Sequence, residues 1–72
     1  MKVILYTKDN CSYCQKAKAL LTVKGIEYVE INIGTDITRE GFFELFPEAR
    51  TVPQIIVDEK HIGGYDELAK FL

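Results

Sequence analysis

Val3-Ile4-Leu5-Tyr6 is a run of strand formers with no charged or amide side chain among them. Successive side chains of a strand point to opposite faces, so a run that is apolar at every position needs cover on both. The segment therefore predicts a central strand of a sheet covered on both sides. The chain has 72 residues, 47% hydrophobic and 28% charged, which suits one small globular domain rather than a disordered or fibrous one. A core of that size contributes only about 3–5 kcal/mol of net stability, so most of the chain must serve the fold.

The rest of the chain supplies the partners of that strand. Asp9 or Asn10 can cap a helix. From Ser12 to Lys24 the residues Cys14, Ala17, Leu20 and Leu21 follow helical spacing, Gln15, Lys18 and Thr22 mark a wet face, and Gly25 ends the helix as a C′ glycine. Residues 27–33 alternate, with Val29, Ile31 and Ile33 on one side and Tyr28, Glu30 and Asn32 on the other, as in a strand near a sheet edge. Thr35 or Asp36 opens a second helix that runs to Phe46, is weakened by Gly41 and is stopped by Pro47. Its expected buried stripe is Phe42, Leu45 and Phe46. Gln54-Ile55-Ile56-Val57 is a further strand, and Asp58-Glu59-Lys60 turns it into a short partner around His61-Ile62. Gly63-Gly64 separate that hairpin from a last helix over residues 65–72. The order is βαβ, then α, then ββα, and the first unit should be a right-handed crossover between parallel strands.

The only two cysteines, in Cys11-Ser12-Tyr13-Cys14, sit one helical turn apart where the first strand gives way to the first helix. Residues three apart on a helix have Cβ atoms about 5–6 Å from each other, and a disulfide needs Cα atoms about 4.4–6.8 Å apart. The pair can close and reopen with little backbone movement, which reads as a redox couple. Unpaired N–H groups and the helix dipole, with Lys8 nearby, favour a thiolate at Cys11 and make it the nucleophile. Cys14, on the apolar stripe, should be less exposed and act as the resolving thiol; a cysteine there can also simply pack as a small hydrophobe. Zinc is a further alternative, although Cys11, Cys14 and His61 offer at most three ligands where structural zinc takes four.

Nine Lys and Arg against eleven Asp and Glu give a formal charge of -2, with no basic footprint for nucleic acid. The opening apolar run stops at Tyr6, short of a signal-peptide core, and no stretch approaches transmembrane length. The expected compartment is the cytoplasm, where thiols are kept reduced and a C-x-x-C pair is catalytic rather than a staple.

Four separated segments resemble the glutaredoxins of the thioredoxin-like superfamily: Tyr6-Thr7-Lys8, Cys11-Ser12-Tyr13-Cys14, Thr51-Val52-Pro53 and Gly63-Gly64-Tyr65-Asp66. The resemblance implies an α/β three-layer fold with a four-stranded mixed sheet and three helices, forming a single domain over residues 1–72. It implies a dithiol enzyme, a glutathione-dependent thiol–disulfide oxidoreductase that reduces protein disulfides and glutathione mixed disulfides, with no tightly bound cofactor. The implied partners are glutathione, as co-substrate, and disulfide-containing or glutathionylated proteins, with ribonucleotide reductase one candidate, and the chain itself is expected to be a monomer.

By the same resemblance, Lys8 and Arg39 would meet the glycine carboxylate of glutathione and Tyr13 would pack along the ligand. Thr51, Val52 and Pro53, with a cis bond before Pro53, would present the Val52 backbone to the cysteine part like an added strand. Gly64 opens the next helix, where Tyr65 and Asp66 would take the γ-glutamyl carboxylate on their N–H groups and the Asp66 carboxylate would take the ammonium. Asp66 can equally serve as an ordinary helix cap, and Arg50 reads as a solvated loop residue. Ser12 departs from the Pro usual in dithiol members, and the last helix stops early compared with many relatives. Ser12 keeps open a [2Fe-2S] cluster bridged between two subunits through Cys11 of each and two glutathiones. A redoxin reduced by thioredoxin reductase is the other alternative.

Overall fold

The first strand, β1 (Val3–Thr7), divides its side chains between two cores. Val3 and Leu5 join Ala17, Leu21, Ile55, Val57 and Leu68 in a fully buried cluster. Tyr6 points the other way, onto Phe42 and Phe46, with Ile4, Ile31 and Ile56 packed around them. This is the two-faced cover that the apolar run demands.

The computed structural model describes residues 1–72. After β1 come α1 (Ser12–Val23), β2 (Val29–Asn32), α2 (Arg39–Leu45), β3 (Gln54–Val57), β4 (Lys60–Gly63) and α3 (Tyr65–Phe71). The sheet order is β2-β1-β3-β4; β1 and β2 are parallel, and the β1–β3 and β3–β4 pairs are antiparallel. Ala17 and Leu21 of α1 and Leu68 of α3 cover one face, while Phe42 of α2 and Phe46 just after it cover the other. The result is the three-layer α/β arrangement, mixed sheet and three helices that the resemblance implied.

Helix ends follow local chemistry. α1 stops as expected: Gly25 has φ +71, its N–H reaches the Thr22 carbonyl at 3.0 Å, and the Ile26 N–H reaches the Leu21 carbonyl at 2.9 Å. That left-handed residue closes a Schellman motif. The β3–β4 turn places Asp58 (φ 49) and Glu59 (φ 69) in the left-handed region, the pattern of a type I′ hairpin.

Several expectations need correction. α2 begins at Arg39, not near Thr35 or Asp36, because Thr38 is its cap and accepts from the Gly41 N–H at 2.9 Å. Asp36 instead accepts from the Asn32 N–H at 2.8 Å, and Ile37 forms a bridge with Ile33. The expected stripe holds only in part: Phe42 is buried, and Phe46, which leaves the helix as its C-cap with φ -130 and ψ 70, is buried too, but Leu45 in the last turn is 56% exposed. β2 is also shorter than residues 27–33. It is an edge strand, and Ile31 and Ile33 do pack toward α2, but Val29 is exposed and Tyr28 packs on the opposite cluster.

Across the β1–β2 pair, the buried Thr7 Oγ1 donates to Glu30 Oε2 at 2.7 Å, and Lys18 Nζ of α1 lies 3.0 Å from the same oxygen. The Thr7 hydroxyl is the largest cause holding the Glu30 carboxyl below its usual pKa; desolvation opposes it and the Lys18 ammonium adds to it.

Candidate active site

Cys11 itself caps α1. Its backbone is extended (φ -116, ψ 108), and its Sγ accepts from the Cys14 N–H at 3.1 Å. Neither Asp9 nor Asn10 does this: Asn10 has φ 58, and Asp9 Oδ1 is near Asn32 Nδ2 at 3.3 Å. Cys11 and Cys14 form a disulfide with Cα atoms 5.2 Å apart. Cys14 is only 1% exposed, whereas Cys11 is half-buried, so the N-terminal sulfur is the one an attacking thiolate can reach.

The Cys11 sulfur lies 3.7 Å from the Val52 carbonyl oxygen. In the closed disulfide it carries no hydrogen, so this is a van der Waals contact rather than a hydrogen bond. The Val52–Pro53 bond is cis. Thr51 and Val52 form a wall shared by two clefts.

One cleft, of about 380 Å³, brings together Lys8, Arg39 and Arg50 over Phe42 and Phe43, with no acidic residue in its lining. The Arg39 guanidinium sits 5.8 Å from the centre of the Phe43 ring. The other, of about 280 Å³, is lined by Tyr13, Pro53, Gly64, Tyr65, Asp66 and Glu67 in addition to Thr51 and Val52. There the Tyr13 and Tyr65 rings are 6.1 Å apart, and Lys16 Nζ stands 4.9 Å from the Tyr13 ring. Every residue expected in the site therefore belongs to the disulfide or to one of these adjoining clefts.

Gly64, not Asp66, is the N-cap of α3; Asp66 is exposed in the first turn. The cap is reinforced by Glu67, whose Oε1 accepts from the Gly64 N–H at 2.8 Å. That bond, and next the backbone N–H of Glu67 itself, lower the Glu67 pKa.

Sequence reasoning missed three neighbours. Arg50 is exposed, yet it lines the basic cleft rather than a plain loop. Gln54 is buried beneath Thr51, and its Oε1 meets His61 Nε2 at 2.7 Å. Glu67 borders the second cleft. A lone amide directly after Pro53, heading an apolar strand, was the available signal for Gln54. His61 stands in the hairpin as expected, against Gln54 and the Phe46 ring, and no group of three or more His, Cys, Asp or Glu side chains converges to hold a metal ion.

The glutaredoxin family model matches residues 3–62. Glutaredoxin 3 of Escherichia coli K12 is 46% identical over 67 residues, covering 92% of this chain and 80% of that protein. Glutaredoxin 1 of Rickettsia typhi is 44% identical over 68 residues, covering 92% of this chain; the match spans 65% of that protein's length. Among solved structures, a buckwheat glutaredoxin–glutathione complex is similar with a TM-score of 0.77 at 27% identity, covering 94% of this chain and 64% of that one.

Proposed function

The chain belongs to the glutaredoxin family and carries the Cys-x-x-Cys pair of a thiol–disulfide oxidoreductase; from that premise we propose that glutathione is its co-substrate and that it reduces glutathione mixed disulfides and protein disulfides. The observation that carries the reading is the pair of unlike clefts meeting at Val52 beside the Cys11 sulfur. Glutathione is a tripeptide whose sulfur is in the middle, with a glycine carboxylate at one end and a γ-glutamyl group, bearing carboxylate and ammonium, at the other. The basic cleft suits the first end, through Lys8 and Arg39 with Arg50 beside them. The cleft of Tyr13, Tyr65 and Asp66 suits the second: Asp66 offers a carboxylate to the ammonium, and the Tyr65 and Asp66 backbone N–H groups would take the γ-glutamyl carboxylate. Thr51, Val52 and Pro53 would hold the cysteine between them, and Gly64 lets the ligand approach the backbone.

The chemistry is thiol–disulfide exchange. In the reduced enzyme the Cys11 thiolate, stabilised by the Cys14 N–H and the start of α1, attacks the glutathione sulfur of a mixed disulfide. The new sulfur–sulfur bond forms as the old one breaks, and the departing thiolate takes a proton from solvent. A second glutathione thiolate then attacks the glutathione sulfur on Cys11, releasing glutathione disulfide and restoring the Cys11 thiolate. With a protein disulfide, Cys11 forms the mixed disulfide and Cys14 displaces the product, leaving the Cys11–Cys14 disulfide; two glutathione thiols reduce it and leave as glutathione disulfide.

A glutathione-coupled turnover assay on the wild type, Cys11→Ser and Cys14→Ser tests the reading. Cys11→Ser should lose both reactions, and Cys14→Ser should keep turnover of a glutathionylated peptide while losing reduction of a protein disulfide. A wild type that draws electrons from thioredoxin reductase but not from glutathione would overturn it.

A further inference from the structure

Gln54 is the polar exception in β3, 7% exposed at the head of a strand that continues Ile55-Ile56-Val57. Both ends of its amide are engaged. Nε2 donates to the Thr51 carbonyl at 2.7 Å, and Oε1 lies 2.7 Å from His61 Nε2. A carbonyl only accepts, so the NH₂ end must face Thr51; Oε1 then faces the imidazole, which must carry its hydrogen on Nε2. His61 rests in turn on Phe46, with ring centres 4.8 Å apart.

Val52 packs on the Tyr6–Phe42–Phe46 cluster and Pro53 is buried, but in hydrogen bonds the segment has little else to hold it. No backbone group of residues 50–53 takes part in a backbone–backbone hydrogen bond, so the Gln54 side chain supplies the hydrogen bond that fixes Thr51. The next residue is Val52, whose carbonyl touches the Cys11 sulfur. We propose that Gln54 is a positioning residue for substrate binding beside Cys11, holding the Thr51–Val52 wall in register with the sulfur, and that His61 keeps the Gln54 amide turned toward Thr51. The effect on turnover rests on the glutathione reading above; the effect on the wall itself does not.

The test combines Gln54→Leu, Gln54→Glu, His61→Leu and His61→Gln with two readouts. One is KM and kcat for a glutathionylated peptide. The other, taken without substrate, is the NMR resonance of the Val52 amide, the peptide unit that contains the Thr51 carbonyl. Gln54→Glu keeps the shape and the acceptor for His61 but loses the donor to Thr51. Both Gln54 variants should raise KM about tenfold with kcat within about twofold, the scale of one lost hydrogen bond in binding, and should move the Val52 resonance. His61→Leu should shift both readouts in the same direction by a smaller amount, and His61→Gln, which can still donate to Gln54, should restore most of the loss. His61 is exposed, so its variants remain informative if a Gln54 variant fails to fold. An unmoved Val52 resonance, or a fall in kcat with KM unchanged, would overturn the proposal. A wild type inactive on the glutathionylated peptide defeats the glutathione reading alone, and the Val52 resonance still decides the positioning role.

Discussion

Thr7 and Glu30 are joined across the parallel β1–β2 pair by a 2.7 Å hydrogen bond from a fully buried hydroxyl to a carboxylate that also meets Lys18. A carboxyl whose pKa is lowered by folding contributes stability that is present above its unfolded pKa and is lost as pH falls through the folded one. For Glu30, lowered from 4.5, that loss occurs in the acid range below about pH 4.5. Glu30→Ala should cost about 1 kcal/mol at neutral pH, the low end for a charged hydrogen bond because the carboxylate is partly solvated. The difference from wild type should shrink toward pH 3. Urea unfolding at both pH values measures it, and a difference that grows on acidification would contradict the assignment.

Lys8 and Arg39 face one cleft without a counter-charge in its lining. Neutralising either should raise KM for a glutathionylated peptide by about three- to tenfold, with the double variant losing most of the salt dependence seen in the wild type. Steady-state kinetics at low and high salt provides the comparison; an unchanged salt response in the double variant would remove these side chains from the binding step.

Leu5 is 0% exposed at the centre of the larger core. Leu5→Ala should cost about 2–5 kcal/mol through lost transfer energy and the cavity left behind. In a chain this small that approaches the whole stability, so circular dichroism at 25 °C should show a substantially unfolded population. A cooperative, wild-type-like melt would mean that the core collapses around the gap.

Glu59 occupies φ 69 in the hairpin turn, where a Cβ is unfavourable. Glu59→Gly should stabilise by about 0.5 kcal/mol, relief of that strain outweighing the entropy glycine loses on folding. Thermal unfolding gives the sign directly; destabilisation would show that the Glu59 side chain contributes more than its backbone costs.

Much of this architecture was readable from residues alone where a single physical demand acted. Val3–Tyr6 and Ile55–Val57 have few alternatives to a buried sheet, and Gly25 had one role to play. The α2 start was different: Thr35, Asp36 and Thr38 are all cap-type residues, and the Ile33–Ile37 bridge decides among them. That bridge is set by backbone pairing rather than by side-chain type, so it cannot be read from propensity. At the site, Cys11 and Cys14 follow from spacing, whereas Lys8, Arg39 and Tyr13 are ordinary surface residues until the chain folds. Their grouping came from family resemblance. Gln54 escaped both readings because its partners, Thr51 and His61, become meaningful only through hydrogen-bond geometry.

The sheet works as a partition. Ala17 and Leu21, which anchor the helix of the two cysteines, lie in one core, while Phe42, which lines the basic cleft, and Phe46 lie in the other with Val52 packed against them. Substitutions on the α2 side can therefore reshape the basic cleft without repacking the layer that supports the sulfurs. The shape of the basic cleft and the packing behind the sulfurs can change independently in descendants of one small scaffold.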